Sequence, residues 1–274
     1  MMNNNVKESN IVNIKDELKK YIPNSKDKIM EKVVLAALGS IPWVGSFLSE
    51  MASFRFEKSE IKTSILYKQW LEEHENKLRE LMKTLENLQY RFDSLGSEID
   101  SRISSEEYLS LVRKGFRTWE NASTKEKKQY MANLLANAAG TKLCTDDVVR
   151  LFMDWLEIYH ELHFSIIRSI YKTPGITRYE IWCELKDENL PREDSAEADL
   201  FKYIIRELST GGVIRQIRDI TSDGRFLKRR IPKKSSHMFT IESAFENSKG
   251  YLLTALGQQF VHYTMNDVVN RLEE

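Results

Sequence analysis

The sequence is poor in several features, and each shortage excludes a class of protein. Its 41 basic residues are matched by 41 acidic residues, so the chain carries no net charge and is not a globally basic nucleic-acid coat. Eleven glycines and five prolines are too few for a β-sandwich with many tight turns. The two cysteines, Cys144 and Cys183, lie far apart, and no secretory leader is recognised. We therefore expect a reduced, cytoplasmic compartment without a disulfide framework or a structural zinc site.

Long apolar runs are also scarce, and the least polar part of the chain is the seventeen-residue segment 33–49, which carries no charge. A straight helix of this length spans about 26 Å, which is at the lower limit for crossing a bilayer. Pro42 removes a backbone donor and bends the segment, so we expect two short helices in a buried hairpin and not a single membrane span. A membrane-active hairpin is the alternative. Its contact residues, for a membrane or for a partner protein, are Trp43, Val44, Phe47 and Leu48.

A long charged helix is predicted over residues 56–99, because apolar residues recur there at heptad spacing between Glu, Lys and Arg. This pattern is typical of a coiled coil. Intramolecular antiparallel packing and intermolecular dimerisation fit the pattern equally, and we expect a homo-oligomer. The candidate oligomerisation residues are Leu71, Leu78, Leu81, Leu85, Leu88 and Phe92.

The remainder of the first 160 residues is predicted to be helical as well. Ser104 and Ser123 each precede a glutamate by three residues, which is the spacing of a capping box at a helix start. Residues 1–24 are polar and are expected to be a flexible N-terminus. Residues 25–160 are therefore interpreted as an all-helical bundle that includes the apolar hairpin and the coiled-coil helix.

From residue 161 the pattern changes to shorter elements separated by turn residues. Three helical stretches come first, followed by an alternating segment over 213–220 that is typical of a half-buried strand. A Ser-Asp-Gly turn, a candidate returning strand over 226–231 and a last strand over 250–254 lead into a final helix. The third helical stretch is expected to bury Leu200, Phe201, Ile204, Ile205 and Leu208.

This order of elements resembles the winged-helix superfamily. The phrase from Tyr251 to Phe260 resembles in particular the strand-to-helix element that often closes winged-helix domains of bacterial proteins. The resemblance implies a winged-helix domain over residues 161–274. The fold class expected for the whole chain is mainly α, with an N-terminal helical bundle, a long coiled-coil helix and a C-terminal winged-helix domain.

Charge is segregated locally, because residues 201–235 carry ten basic side chains and only three acidic ones. Under the winged-helix resemblance, a recognition helix enters the major groove of duplex DNA while cations of the wing neutralise phosphates. One alternative is a protein partner, since an acidic stretch at 193–199 lies just before this helix. The other is a plain solvated basic face. The candidate nucleic-acid-binding residues are Lys202, Tyr203, Arg206, Arg215, Arg218, Arg225, Lys228, Arg229, Arg230, Lys233 and Lys234.

No catalytic signature is found in the chain. Gly39 and Gly45 lack the Lys-Ser/Thr ending of a phosphate-binding loop. Glu157, His160 and His163 share one helical face and have a spacing that can hold a metal ion, but this spacing is common by chance, so ordinary packing is the preferred interpretation. The cysteines have no adjacent base in the sequence. We therefore expect no cofactor, no metal and no enzymatic activity.

Three functions are consistent with these patterns. The first is a non-enzymatic, nucleic-acid-binding regulator or sensor, in which a helical oligomerisation region carries the winged helix. Segments 37–50 and 125–139 resemble parts of poorly characterised bacterial helical proteins of the phage-defence type. That resemblance implies antiviral defence and points to the second function, a membrane-perturbing effector of the abortive-infection type that uses the 33–49 hairpin. The third function is a structural subunit that joins a larger complex through the heptads.

Overall fold

The computed structural model describes residues 28–44, 60–141, 143–186, 189–218, 223 and 243–265. Its contacts divide the chain into two compact units, Met1–Glu157 and Ile158–Glu274, which we call the N-terminal unit and the C-terminal unit. Both are built mainly from helices, so the expectation of a mainly helical chain is confirmed. None of the described helices is both long enough and apolar enough to cross a membrane.

The described part of the N-terminal unit is a series of helices. The first ends before Pro42, where the bend is expected, and a short helical turn follows at 42–44. The long helix ends at Gly96, whose φ of 73° lies in the left-handed region that glycine tolerates. The bounds are α1 Lys28–Ser40, α2 Glu60–Leu95, a 3-10 turn at Ser97–Ile99, α3 Asp100–Ile103, α4 Glu106–Asn121, α5 Lys125–Gly140 and α6 Asp146–Ile158.

Helices α1, α2, α4 and α5 pack together in the core of the N-terminal unit. α4 contacts both α1 and α5, and α5 also contacts α2. Large side chains fill this core, among them Phe116 and Trp119 on α4 and Tyr130 on α5. Tyr108 is buried too, and its hydroxyl donates to the Leu135 carbonyl oxygen at 2.9 Å. The buried phenol therefore keeps the hydrogen-bond partner that burial requires.

Most apolar side chains in the described part of the 33–49 segment are packed inside this unit. Trp43 is half-buried, and its ring lies 5.7 Å from the Trp70 ring and 4.9 Å from the His74 ring, measured between centroids. These positions are consistent with the expected buried hairpin, while Phe47 and Leu48 lie outside the described residues. Six apolar side chains of the segment are buried, namely Val33, Val34, Ala37, Leu38, Ile41 and Val44.

The heptad residues of α2 face the interior of their own chain. Five of them, Leu78, Leu81, Leu85, Leu88 and Phe92, are buried, and α2 packs against α5. The side chain of Leu71 lies outside the described part of the structure. Packing within one chain therefore accounts for the described heptad positions, and the homo-oligomer stays a prediction.

The C-terminal unit combines helices with a small sheet. Its described elements are α7 Glu161–Lys172, α8 Arg178–Lys186, α9 Ala196–Thr210, β1 Ile214–Gln216, β2 Tyr251–Leu253 and α10 Ala255–Thr264. The strands pair antiparallel, with Ile214 opposite Leu253 and Gln216 opposite Tyr251. Thr177 extends the pairing through an isolated bridge to Gly250. The expected returning strand over 226–231 falls outside the described ranges, and the partner observed for β1 is β2.

Two glycines let backbone segments approach closely around this sheet. A Cβ atom at Gly257, in α10, would lie 2.1 Å from the Val213 carbonyl oxygen, and a Cβ atom at Gly250 would lie 2.3 Å from the Gly175 carbonyl oxygen. No side chain fits at either position without moving the backbone. Gly257 belongs to the 251–260 segment that resembles the closing element of winged-helix domains. The close approach of Val213 explains why this position of the segment is a glycine.

Two helix caps differ from the capping boxes expected from the sequence. Ser105, not Ser104, caps α4, because its hydroxyl oxygen accepts from the Tyr108 amide at 3.2 Å. Thr124, not Ser123, caps α5 by accepting from the Lys127 amide at 3.3 Å. In both cases the helix begins one residue later than expected.

Candidate nucleic-acid interface

Helix α9 carries three of the candidate nucleic-acid-binding residues, and a cap and an apolar face determine its position. The Ser195 hydroxyl oxygen accepts from the Ala198 amide at 3.2 Å, which satisfies one of the amides left free at the helix start. Leu200 is 53% exposed, so the expectation that it is buried is wrong. The other four residues expected inside are buried, namely Phe201, Ile204, Ile205 and Leu208.

Tyr203 and Arg206 lie on the exposed face of α9. Tyr203 is 57% exposed, which leaves much of its ring accessible to a partner. Arg206 is exposed and forms no ion pair with any residue that the structure describes. An uncompensated guanidinium beside an exposed aromatic ring has the chemistry to contact both a phosphate and a base.

Lys202 is engaged with the loop before α9. Its ammonium Nζ lies 3.4 Å from Oε2 of Glu193, and only 21% of the lysine side chain is exposed. Glu193 also accepts hydrogen bonds from the Ser243 hydroxyl and the Ala244 amide. Partial burial alone would raise the pKa of Glu193, but these hydrogen bonds and Lys202 outweigh burial and lower that pKa. The Lys202 charge is therefore compensated within the C-terminal unit.

Arg215 and Arg218 follow α9 along the chain and are both exposed. In β1 the side chains alternate, so Arg215 points outward between buried Ile214 and half-buried Gln216. Gln216 Nε2 donates to the Tyr251 hydroxyl oxygen at 2.8 Å, which ties β1 to β2. Arg215, like Arg206, has no ion pair among the described residues. The exposed arginines Arg206 and Arg215 thus lie on two consecutive elements.

The acidic stretch before α9 is partly compensated by its own chain. Asp194 forms a two-pronged ion pair with Arg192, with nitrogen–oxygen distances of 2.9 and 2.8 Å. This pair lowers the pKa of Asp194. Glu197 and Asp199, in contrast, are exposed in the first turn of α9. They favour the helix start electrostatically, but they make that end of α9 unfavourable for contact with phosphates.

A cluster around Glu207 was not among the candidates from the sequence. Nε2 of His163 on α7 lies 3.0 Å from Oε2 of Glu207 on α9, and the His163 side chain is 1% exposed. The Tyr159 ring stacks on the His163 ring at a centroid distance of 4.9 Å. Burial, aided by the Glu207 charge, raises the pKa of Tyr159. The 44-residue separation of His163 and Glu207 leaves no local signal for this pair.

Several candidate residues fall outside the described ranges, namely Arg225, Lys228, Arg229, Arg230, Lys233 and Lys234. Within those ranges, no group of three or more His, Cys, Asp or Glu side chains is placed to hold a metal ion. His163, one of the metal-ligand candidates, instead uses its ring nitrogens for the His160 amide and the Glu207 carboxylate.

Comparisons with known proteins assign no family to the chain: no family model, no curated protein and no solved structure matches it.

Proposed function

We propose that the C-terminal unit is a winged-helix module that binds duplex DNA, and that the protein is a non-enzymatic regulator or sensor. The observation that carries this proposal is the pair of exposed arginines, Arg206 on α9 and Arg215 on β1, neither of which has an ion pair among the described residues. The order of three helices, a strand, a strand and a helix supports it. The six basic candidates between residues 225 and 234 would extend the same positive segment.

The placement of charge also favours one docking orientation. Phosphates would be repelled at the start of α9, where Glu197 and Asp199 are exposed. They would be attracted near its end and at β1, where Arg206 and Arg215 are open. We therefore expect the C-terminal half of α9, together with β1, to approach the DNA backbone most closely.

The proposal is tested by measuring affinity for a mixed-sequence DNA duplex by fluorescence anisotropy over a range of salt concentrations. We expect the wild type to bind with a log–log salt slope of about −4 to −5, as for four to six phosphate contacts. The paired change Arg206→Glu and Arg215→Glu should weaken binding and make the slope less negative by about two, one per lost contact.

The matched control is Arg117→Glu, which reverses an exposed arginine on α4 in the N-terminal unit. Its affinity and salt slope should equal those of the wild type. Arg229→Glu with Arg230→Glu extends the test to the expected wing. Salt-independent binding, or equal affinity of the Arg206/Arg215 variant and the wild type, would refute the proposal and favour a protein partner.

The two other functions, a membrane-perturbing effector and a structural subunit of a larger complex, have less support in the described residues. Six of the apolar side chains described between residues 33 and 44 are buried in the N-terminal unit, so a membrane-perturbing hairpin would first have to leave this packing. The described heptad leucines are buried in the same way. A role in phage defence and a cytoplasmic location remain predictions from the sequence.

A further inference from the structure

A polar cavity lies between α2 and α5 of the N-terminal unit, and none of the functions above uses it. Its volume is about 220 Å³, which is below the roughly 300 Å³ at which pockets for drug-sized ligands begin. Leu88 of α2 and Ala132 of α5 belong to its lining and are both buried. The cavity therefore suits a compact ligand with an apolar face.

A buried amide organises the polar side chains on the α5 side of this cavity. Asn133 is 3% exposed, and its Oδ1 accepts hydrogen bonds from Nη1 of Arg91 at 3.2 Å and from Nε2 of Gln129 at 3.0 Å. Gln129 Oε1 has no hydrogen-bond partner among the described residues and remains an acceptor. Because these side chains are ordered beforehand, a ligand that contacts them loses less entropy on binding.

Two exposed residues of α2, Asn87 and Tyr90, also line the cavity. Tyr90 is 77% exposed, and neither side chain has a partner among the residues that the structure describes. A free carboxamide offers a donor and an acceptor side by side, which matches the N6 and N7 edge of adenine. An exposed aromatic ring is a platform on which an unpaired base stacks.

We propose that the α2–α5 cavity binds an adenine base, which stacks on the ring of Tyr90 and pairs through its amino edge with the carboxamide of Asn87. The base is supplied either by a free adenine nucleoside or by an unpaired adenine of a single strand, since both present the same ring and edge. Arg91 is the one charged side chain among the described lining residues, so no carboxylate of this lining repels a phosphate attached to the ligand. The site is independent of the DNA-binding face proposed for the C-terminal unit.

A purely structural role for the cavity predicts a different result. The contacts of Asn133 with Arg91 join α5 to α2, and that function does not involve Asn87 or Tyr90. If the cavity served only to join the helices, substitutions at these two exposed positions would leave both stability and ligand binding unaffected. Both positions therefore test the ligand site without disturbing the core.

The test measures adenosine binding to the full chain by isothermal titration calorimetry. Tyr90→Ala should weaken binding at least about fivefold, the lower end of the range for losing a stacked base. Asn87→Ala should weaken it about two- to tenfold, as for one hydrogen-bonded contact. Gln89→Ala is the matched control, because this amide lies on the same helix and does not line the cavity, and it should bind as the wild type does.

Purine riboside tests the contact with Asn87 from the ligand side, because it keeps the purine ring and lacks the amino group. We expect it to bind the wild type more weakly than adenosine does. Asn87→Ala should bind the two nucleosides with nearly equal affinity, because both changes remove the same contact. An undiminished preference for adenosine in Asn87→Ala would overturn the role of this residue and, with it, the proposed site.

A short single-stranded oligoadenylate, titrated into the same variants, distinguishes the two sources of the base. Adenosine binding that weakens in Tyr90→Ala supports a free nucleoside, whereas binding of the oligoadenylate alone, weakened by the same change, supports an unpaired base of a strand. The proposal is overturned if neither probe binds at millimolar concentration, if Tyr90→Ala and Asn87→Ala leave binding unchanged, or if Gln89→Ala weakens it equally. Urea unfolding midpoints equal to that of the wild type establish that the variants are folded.

Discussion

His163 gives the stability of the C-terminal unit a specific dependence on pH. Its folded-state pKa lies below the ordinary value of 6.5 because the ring is buried. Above that value neither the folded nor the unfolded chain is protonated at this residue. As the pH falls below about 6.5, the unfolded chain binds a proton that the folded chain resists, so the free energy of unfolding decreases by up to ~1.4 kcal/mol per pH unit.

We expect His163→Gln to remove this part of the pH dependence, because glutamine does not titrate. The measurement is urea unfolding of the full chain at several pH values between 5 and 8. Identical slopes for His163→Gln and the wild type would show that protonation of His163 does not limit stability in this range.

The sequence alone predicts the exposure of some candidate interface residues and not of others, for reasons that differ at each residue. The exposure of Tyr203 and Arg206 follows from helical spacing, because both lie off the apolar face of α9. Lys202 shares that exposed spacing, yet the loop at Glu193 folds back onto it. The contact between Glu207 and His163 joins two separate helices. Tertiary contacts of this kind have no periodic signal in the sequence.

At the scale of elements, Thr254 links the sheet of the C-terminal unit to its closing helix. Its hydroxyl oxygen accepts from the Gly257 amide at 2.9 Å and caps α10. The same hydroxyl donates to the Gly212 carbonyl oxygen at 2.6 Å, and the Thr254 amide donates to the Val213 carbonyl oxygen at 3.0 Å. One side chain therefore satisfies groups at the start of α10 and in the turn after α9.

Thr254→Ala should lower the free energy of unfolding by about 1–3 kcal/mol, because it removes a helix cap and leaves a carbonyl acceptor unpaired. Thr254→Ser keeps the hydroxyl and should cost much less. Both variants are compared with the wild type by urea unfolding of the full chain. An equal loss in the two variants would show that the methyl group, and not the hydroxyl, provides the stabilisation.

Elements are predicted well where a local pattern defines them, and less well where two local patterns compete. Ser104 and Ser105 both offer a hydroxyl before the same helix, and Ser105 is the cap observed. Burial of Tyr108, three residues later, is consistent with this choice. Leu200 has helical spacing to buried Ile204, yet it is exposed one turn earlier. Ile204 lies inside the packed core and Leu200 lies outside it, and helical spacing in the sequence does not indicate where the core ends.

At the scale of the whole molecule, the net charge is balanced, but the sequence concentrates basic side chains within residues 201–235. The N-terminal unit buries its described heptad residues and six apolar side chains of the 33–49 segment in its own core. The C-terminal unit keeps arginines open on α9 and β1. The mainly helical fold follows from the periodicity of the sequence. The heptads of α2, in contrast, fit both packing within one chain and dimerisation, because an apolar helix face does not specify which helix covers it.

A substitution at Leu85 distinguishes packing within one chain from dimerisation. It is fully buried in a single chain, so Leu85→Ala should leave a cavity and lower the free energy of unfolding by about 2–5 kcal/mol. Leu35→Ala, at a 60% exposed leucine on α1, is the control and should lower the free energy of unfolding only slightly.

Each protein is unfolded in urea at two protein concentrations at least tenfold apart, and its mass is measured by light scattering. If Leu85 serves self-packing, the variant is destabilised equally at both concentrations with no change in mass. A midpoint that rises with concentration in the wild type, together with a smaller mass for Leu85→Ala, would instead mean that this helix stabilises an oligomer.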